Sequence, residues 1–290
     1  MHRLFLLRAY GDFVILIQAL LQSPQKNKYT LIASKHLEPL YQEISLVIDL
    51  TSIQIQFIHF GITNTQLSLF TNKHLLSLNT LNELKKIKKF VKQNPNNEGT
   101  DYIEQDKKIV LFNAITGLNF NFIISNEPVY VSYARFFNIQ DTNTIEVKEK
   151  SKENNHPKKL EGKVLLFPDT RQTKKNIPST LINKLTNELE AKGYSLEIAN
   201  YKQMPTSTNT NNKFVKSQQL VYSNFKSLIQ FIQEATLIIG ADSLPIHLAY
   251  LLNKPHYILY PNGYPQLFMT PYAKINNRFG TFDSYNLSFL

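Results

Sequence analysis

The stretch Ile238-Ile239-Gly240-Ala241-Asp242-Ser243-Leu244-Pro245-Ile246-His247-Leu248-Ala249 decides the fold. With Thr236 and Leu237 it begins as an apolar run closed by a Gly-Ala turn, the pattern of a short buried strand. Asp242 and Ser243 are good helix caps, and Pro245 suits a first helical turn, where its missing N–H has no partner to lose. Leu248, Leu251 and Leu252 continue a helix that Asn253 would stop ahead of Lys254-Pro255. Tyr257-Ile258-Leu259-Tyr260 then reads as the next strand. Such a unit places free backbone N–H groups at the carboxyl end of a parallel sheet, where the helix dipole also favours an anion such as a phosphate. An ordinary crossover with its capping residues fits the same letters.

Working outward, the amino-terminal end repeats the logic. Leu4-Phe5-Leu6-Leu7 is a continuous apolar run, as in a strand buried on both faces. Arg8 to Asp12 is a turn, and Phe13 to Leu21 a buried helix ending before Pro24. Asp12 can cap that helix, act chemically, or do both. Tyr29–Ala33 reads as a strand, Lys35–Ile44 as a short helix containing Pro39, and Leu46–Phe60 as a strand with one wet face. Asn79–Gln93 is an amphipathic helix, with Leu81, Leu84, Ile87 and Val91 on one side and Lys85, Lys86, Lys88, Lys89 and Lys92 around the rest. That lysine face is first a solvated surface, second a contact for an anionic membrane or acceptor.

Lys108–Phe112 and Phe120–Ile124 are expected strands, and Glu127–Phe137 a helix. A polar segment at 146–162 is expected to link a first domain, 1–145, to a second, 163–290. Lys163–Phe167 restarts the pattern with a strand, followed by a basic loop and a helix carrying Leu181, Ile182, Leu185 and Leu189 that stops at Gly193. Tyr194–Ala199 reads as a strand and Tyr201–Lys216 as a polar loop. Ser223 is the expected cap of a helix bearing Phe225, Leu228, Ile229 and Ile232. The tail from Ala273 onward carries no readable motif. Together these give an α/β chain of two Rossmann-like halves.

At 290 residues and 42% hydrophobic content the chain can bury two full cores. Without cysteine it has no disulfide or thiolate metal site, which fits a reducing compartment. The net charge of +10 implies an anionic partner: a membrane surface, nucleic acid, a sugar nucleotide or an acidic glycolipid. Arg8, Gly11 and Asp12 break up the apolar amino terminus, so it reads as mature structure of a cytoplasmic protein rather than a signal peptide. Glycine patterns for dinucleotide or P-loop binding and the Gly-x-Ser-x-Gly elbow are missing, and the seven histidines form no helical His-x-x-x-His pair for zinc.

Three stretches, in order, resemble glycosyltransferase family 9, the heptosyltransferase-like enzymes. The first is Gly11-Asp12 between strand and helix; the resemblance implies that Asp12 is the general base. The second is Thr170-Arg171-Gln172-Thr173-Lys174-Lys175-Asn176-Ile177-Pro178, where Thr170 and Lys175 fall on the phosphate-holding positions and Arg171 is a further cation. The third is the opening motif: Asp242, Ser243 and His247 match, and Leu244 stands where the family commonly has Gly. Pro261 to Pro265 and Thr270-Pro271-Tyr272 resemble the loop that follows. The resemblance implies a GT-B architecture, two parallel-sheet domains facing a cleft. It also implies an inverting, metal-independent transfer from a nucleotide-sugar donor such as ADP-heptose to a lipopolysaccharide or other surface glycan. No cofactor and no nucleic acid are implied, and the place of action would be the cytoplasm, at the inner face of the membrane. Two alternatives stay open: an inactive binding module of the same fold, and a basic nucleic-acid-binding protein, whose interleaved aromatic and cationic strand surface is not found.

Overall fold

The structure is a computed structural model that describes residues 1–6, 9–59, 78–103, 113–114, 116–123, 127–140, 162–170, 172–201 and 218–290. The chain divides into two compact units, Met1–Glu146 and Val147–Leu290. Apart from Gly162, the expected linker lies outside the described residues, as does the expected strand Lys108–Phe112.

The first unit is built on β1 (His2–Leu6), β2 (Tyr29–Ser34), β3 (Gln54–Ile58), β4 (Asp101–Ile103) and β5 (Asn121–Phe122), all parallel, in the order β3-β2-β1-β4-β5. The continuous apolar run of β1 has its reason here: Leu4, Phe5 and Leu6 are wholly buried in the central strand. Arg3 ties β1 to β4 through a two-pronged bond to Asp101, with contacts of 2.7 and 2.6 Å. Helix α1 (Tyr10–Gln22) follows β1, α2 (Glu38–Ser45) carries Pro39 in its first turn, and α3 (Leu78–Gln93) and α4 (Val129–Phe136) complete the unit. Leu84 and Ile87 of α3 pack with Phe5, Ile32, Ile103 and Phe120, while Lys85, Lys86, Lys89 and Lys92 are exposed.

Some boundaries differ from the sequence expectation. The strand expected over Leu46–Phe60 is confined to Gln54–Ile58, because Leu46–Asp49 follows α2 as a turn in which Val47 and Ile48 donate back to Ile44. Asp12 is not in a turn and does not cap α1: the helix begins at Tyr10, Ala9 is the cap, and Asp12 is in the first turn.

The second unit holds β6 (Lys163–Phe167), β7 (Ser195–Tyr201), β8 (Gln218–Tyr222), β9 (Leu237–Ala241), β10 (His256–Tyr260) and β11 (Phe279–Thr281), again parallel, in the order β11-β10-β9-β6-β7-β8. Its helices are α5 (Ser179–Ala191), α6 (Phe225–Glu234), α7 (Leu244–Leu251) and α8 (Pro271–Ile275). Strand order reverses between β6 and β9, the switch point at which a parallel sheet opens a crevice beyond its carboxyl edge. Gly240 lets β9 sit close: a Cβ there would lie 3.3 Å from the Phe167 carbonyl oxygen and 3.4 Å from Ile246. Asn224, not Ser223, caps α6, accepting from the Ser227 N–H at 2.9 Å. The edge strands β8 and β11 were not expected; β11 has only three residues, too few to show alternation.

Four helices end alike. Asn138, Gly193, Asn253 and Asn277 take positive φ, and each is followed by an N–H that reaches back to close the last turn, as from Lys254 to Ala249 at 2.8 Å and Tyr194 to Leu189 at 3.0 Å. Asn does at three of these ends what Gly does at the fourth, because its short polar side chain tolerates the left-handed region.

His256 on β10 is fully buried between the Lys254 carbonyl oxygen (2.9 Å) and the Thr270 hydroxyl (2.6 Å). Burial is the main cause that pushes its pKa from 6.5 down to about 4, against the hydrogen bond to Lys254. The unfolded chain therefore binds a proton that the fold refuses, so this contribution is fully present above the ordinary histidine pKa and is lost as pH falls toward about 4. The loss should be about 3 kcal/mol. Urea midpoints should fall between neutral pH and about pH 4, and His256→Gln should flatten that slope; an unchanged slope would remove His256 as its source.

Candidate functional site

The loop after β6 shapes the first wall. Thr170 is buried, and its polar groups are turned into the loop: its N–H donates to Asn176 Oδ1 at 2.8 Å and its hydroxyl donates to the Gln172 carbonyl oxygen at 2.7 Å. The Gln172 N–H returns a bond to the same hydroxyl at 3.1 Å. Ile177 N–H closes the loop on the Pro168 carbonyl oxygen at 2.9 Å. This internal bonding presents Lys175 at the end of a 3-10 turn, Thr173–Lys175, while Lys174 stays exposed. Burial raises the pKa of Asp169, the residue before Thr170.

The second wall is the β9–α7 turn. Asp242 does not cap α7. Its carboxylate meets Lys175 Nζ at 2.7 Å through Oδ2 and lies 3.4 Å from His247 Nε2 through Oδ1. The Lys175 and Asp242 side chains are only 10% and 4% exposed, so this is a buried ion pair joining the loop after β6 to the turn after β9. Burial alone would raise the Asp242 pKa, but His247 and Lys175 outweigh it and hold the carboxyl below its ordinary value. Ser243 occupies the cap position of α7, yet its hydroxyl donates back to the Ala241 carbonyl oxygen at 3.0 Å. Leu244 is the first residue of α7 and half-buried. Tyr260 is buried with its hydroxyl unpartnered among the described residues, and burial followed by the Asp242 charge raises its pKa, which leaves it a neutral donor.

Thr170, Lys175, Asp242, Ser243, Leu244 and His247 thus belong to the two loops at the switch point of the second sheet. Arg171 lies outside the described residues. Asp12 belongs to the first unit, half-buried at the start of α1 after the central strand β1. Sequence reasoning did not single out the rings over Lys175: Tyr264 at 5.0 Å and Phe268 at 5.8 Å from ring centre to Nζ, with Lys174 5.4 Å from the Tyr264 ring. Tyr264 was visible in the Asn-Gly-Tyr-Pro run, whereas nothing in the sequence marked Phe268. Among the described residues no group of three or more His, Asp or Glu side chains is arranged to hold a metal ion.

The profile of glycosyltransferase family 9 (heptosyltransferase) matches residues 134–287, more than half of the chain, including both loops of the second unit but not Asp12. The chain belongs to glycosyltransferase family 9. Solved structures agree on the fold. Escherichia coli heptosyltransferase WaaC with ADP is 12% identical over 92% of this chain and 90% of its own, with a TM-score of 0.56. A glycosyl transferase family 9 protein of Veillonella parvula DSM 2008 is 12% identical over 98% and 88%, with a TM-score of 0.58. E. coli ADP-heptose lps heptosyltransferase II is 14% identical over 97% and 90%, with a TM-score of 0.52. No curated protein matches the sequence at a significant level. As a family 9 chain with two parallel α/β sheets, each in Rossmann order, it has the GT-B class of fold.

Proposed function

We propose that this chain is an inverting glycosyltransferase that moves a sugar from a nucleotide-sugar donor, of the ADP-heptose kind, to a lipopolysaccharide or other surface-glycan acceptor. The observation that carries the proposal is the buried Lys175–Asp242–His247 cluster at the switch point, inside the segment matched by the family. Support for the donor comes from WaaC, whose structure was solved with ADP. In the proposed reaction Asp12 takes the acceptor hydroxyl proton as the oxygen attacks the anomeric carbon. The bond from that carbon to the diphosphate breaks, and the nucleoside diphosphate leaves with its electrons. Lys175 and the N–H groups at the start of α7 stabilise the departing charge. Thr170 serves mainly by shaping the loop that presents Lys175, since its N–H and O–H are both committed inside it.

Charge for the leaving group is thereby supplied by protein, so turnover should be unchanged by a chelator such as EDTA. The exposed lysines of α3 suit peripheral contact with an anionic membrane on the cytoplasmic side. Among the described residues no helix is long and apolar enough to cross a membrane.

Titrating the protein with ADP, UDP, GDP and CDP tests the donor assignment, because a ligand that binds only the native state raises its melting temperature. Lys175→Ala should weaken the bound nucleotide by about tenfold to a hundredfold, the worth of a hydrogen bond to a charged group. Titration belongs below the variant's lowered melting point, since Asp242 would be left buried without its cation. Unchanged affinity would remove Lys175 from the site.

A further inference from the structure

We propose that Tyr264 and Phe268 are donor-site residues of this chain: an aromatic cover over Lys175 that gives way when a nucleoside diphosphate reaches the ammonium. The proposal rests on the donor-site function given above. Lys175 is engaged on one side by Asp242 at 2.7 Å, and the Tyr264 and Phe268 rings stand 5.0 and 5.8 Å from it. With its side chain only 10% exposed, Lys175 cannot donate to a phosphate oxygen unless something beside it moves.

Asp242 is not the part that moves. It is 6% exposed, lies 3.4 Å from His247, and sits at the end of β9, which is hydrogen-bonded on both sides. Both rings come from one loop, between β10 and α8. The far end of that loop is fixed: Thr270 is buried, bonded to His256 at 2.6 Å, and caps α8 by accepting from the Ala273 N–H at 3.2 Å. Its tip is tied only at the exposed surface, where the Asn262 side chain donates to Asp283 and accepts from the Asp283 N–H at 3.3 Å, and by the local turn in which the Tyr264 N–H donates to the Pro261 carbonyl oxygen at 3.0 Å. Asn262, Gly263, Pro265, Gln266 and Leu267 are exposed, and the contact of the Tyr264 hydroxyl with Gln172 Oε1 is a long 3.4 Å.

The energies favour exchange. Rings at these distances lie toward the outer limit of about 6 Å for a cation–ring attraction, so their hold on the ammonium is weak. A phosphate oxygen would approach the ammonium to about 2.8 Å in a charge-assisted hydrogen bond, a much closer opposite charge. The rings therefore satisfy Lys175 well enough to keep it ordered and weakly enough to be displaced. The Tyr264 ring also lies 5.4 Å from Lys174, which is exposed and stands as a second cation for the same diphosphate.

Two measurements test this. In the first, the full chain is treated with a small acylating reagent and Lys175 modification is followed by mass spectrometry, with no nucleotide present. Tyr264→Ala, alone and with Phe268→Ala, should speed modification by about tenfold, and Tyr264→Phe should leave it unchanged. Equal rates in wild type and the alanine variants would overturn the cover whatever the protein's reaction. The second uses Tyr264→Trp, which puts a single tryptophan in a chain that has none. Its emission should shift on adding whichever of ADP, UDP, GDP or CDP binds by calorimetry, and saturate at the same concentration. Calorimetric binding without an emission shift would overturn the displacement and leave the donor-site function standing. If none of the four binds the wild type, the donor-site function falls, and this proposal with it.

Discussion

Asp242→Asn is expected to abolish nucleotide binding and to lower the melting temperature sharply. The substitution keeps the shape of the side chain and one carbonyl oxygen, so Lys175 can retain a neutral hydrogen bond. What it removes is the charge opposite a buried ammonium, whose partner now stands at 2.7 Å. Leaving one member of a buried pair uncompensated costs about 3–5 kcal/mol. For a unit of this size that corresponds to roughly 10 °C or more in the melting temperature. Lys175 can relieve the strain by losing its proton or by swinging toward solvent, and either response removes the cation from the start of α7. A second variant separates stability from function. In Asp242→Asn/Lys175→Met both charges are gone and a thioether chain fills the lysine's space. Melting should recover most of its loss while nucleotide binding stays absent. If the single variant melts like the wild type, the ion pair contributes nothing and the site has been misjudged.

Most of the motif at 236–260 was legible because several local signals pointed the same way, although Gly240 and Ala241, read as a turn, are the last residues of β9. An apolar run became the wholly buried β9, Pro245 fell in the first turn of α7, and Asn253 stopped that helix in the left-handed region. Gly193 ended α5 for the same reason. What the sequence could not show was the partner of Asp242. A carboxylate before a helix reads as a cap, and only the fold brings Lys175, 67 positions away, to within hydrogen-bond reach. Thr170 likewise stands, by resemblance, on a phosphate-holding position, but Asn176 and Gln172 engage its N–H and hydroxyl within the loop. Phe268 was invisible because one aromatic in a loop carries no period, and its role depends on a residue from a different crossover. The edge strand β11 holds three residues, below the length at which alternation can be seen, whereas the two-residue β5 falls inside the strand expected at Phe120–Ile124.

Asp12→Asn is expected to lower turnover by about a hundredfold to ten-thousandfold, the usual worth of a positioned general base, and to leave donor affinity nearly unchanged. The structure sharpens this test. Asp12 lies in the first turn of α1, whose cap is Ala9, so the substitution removes no capping bond. Its carboxylate has no hydrogen-bond or ion-pair partner among the described residues, so no network is broken. The structural loss is then confined to a negative charge near the positive end of the helix dipole, about 0.3–1 kcal/mol. A purely structural Asp12 therefore predicts a small fall in melting temperature and near-normal turnover. A base predicts the same small fall in melting temperature together with a collapse of turnover while the donor still binds. Asp12→Glu restores a carboxylate one methylene further out and should recover part of the rate. If Asp12→Asn turns over a verified substrate at the wild-type rate, proton removal belongs to another group and Asp12 is only a charge at the head of α1.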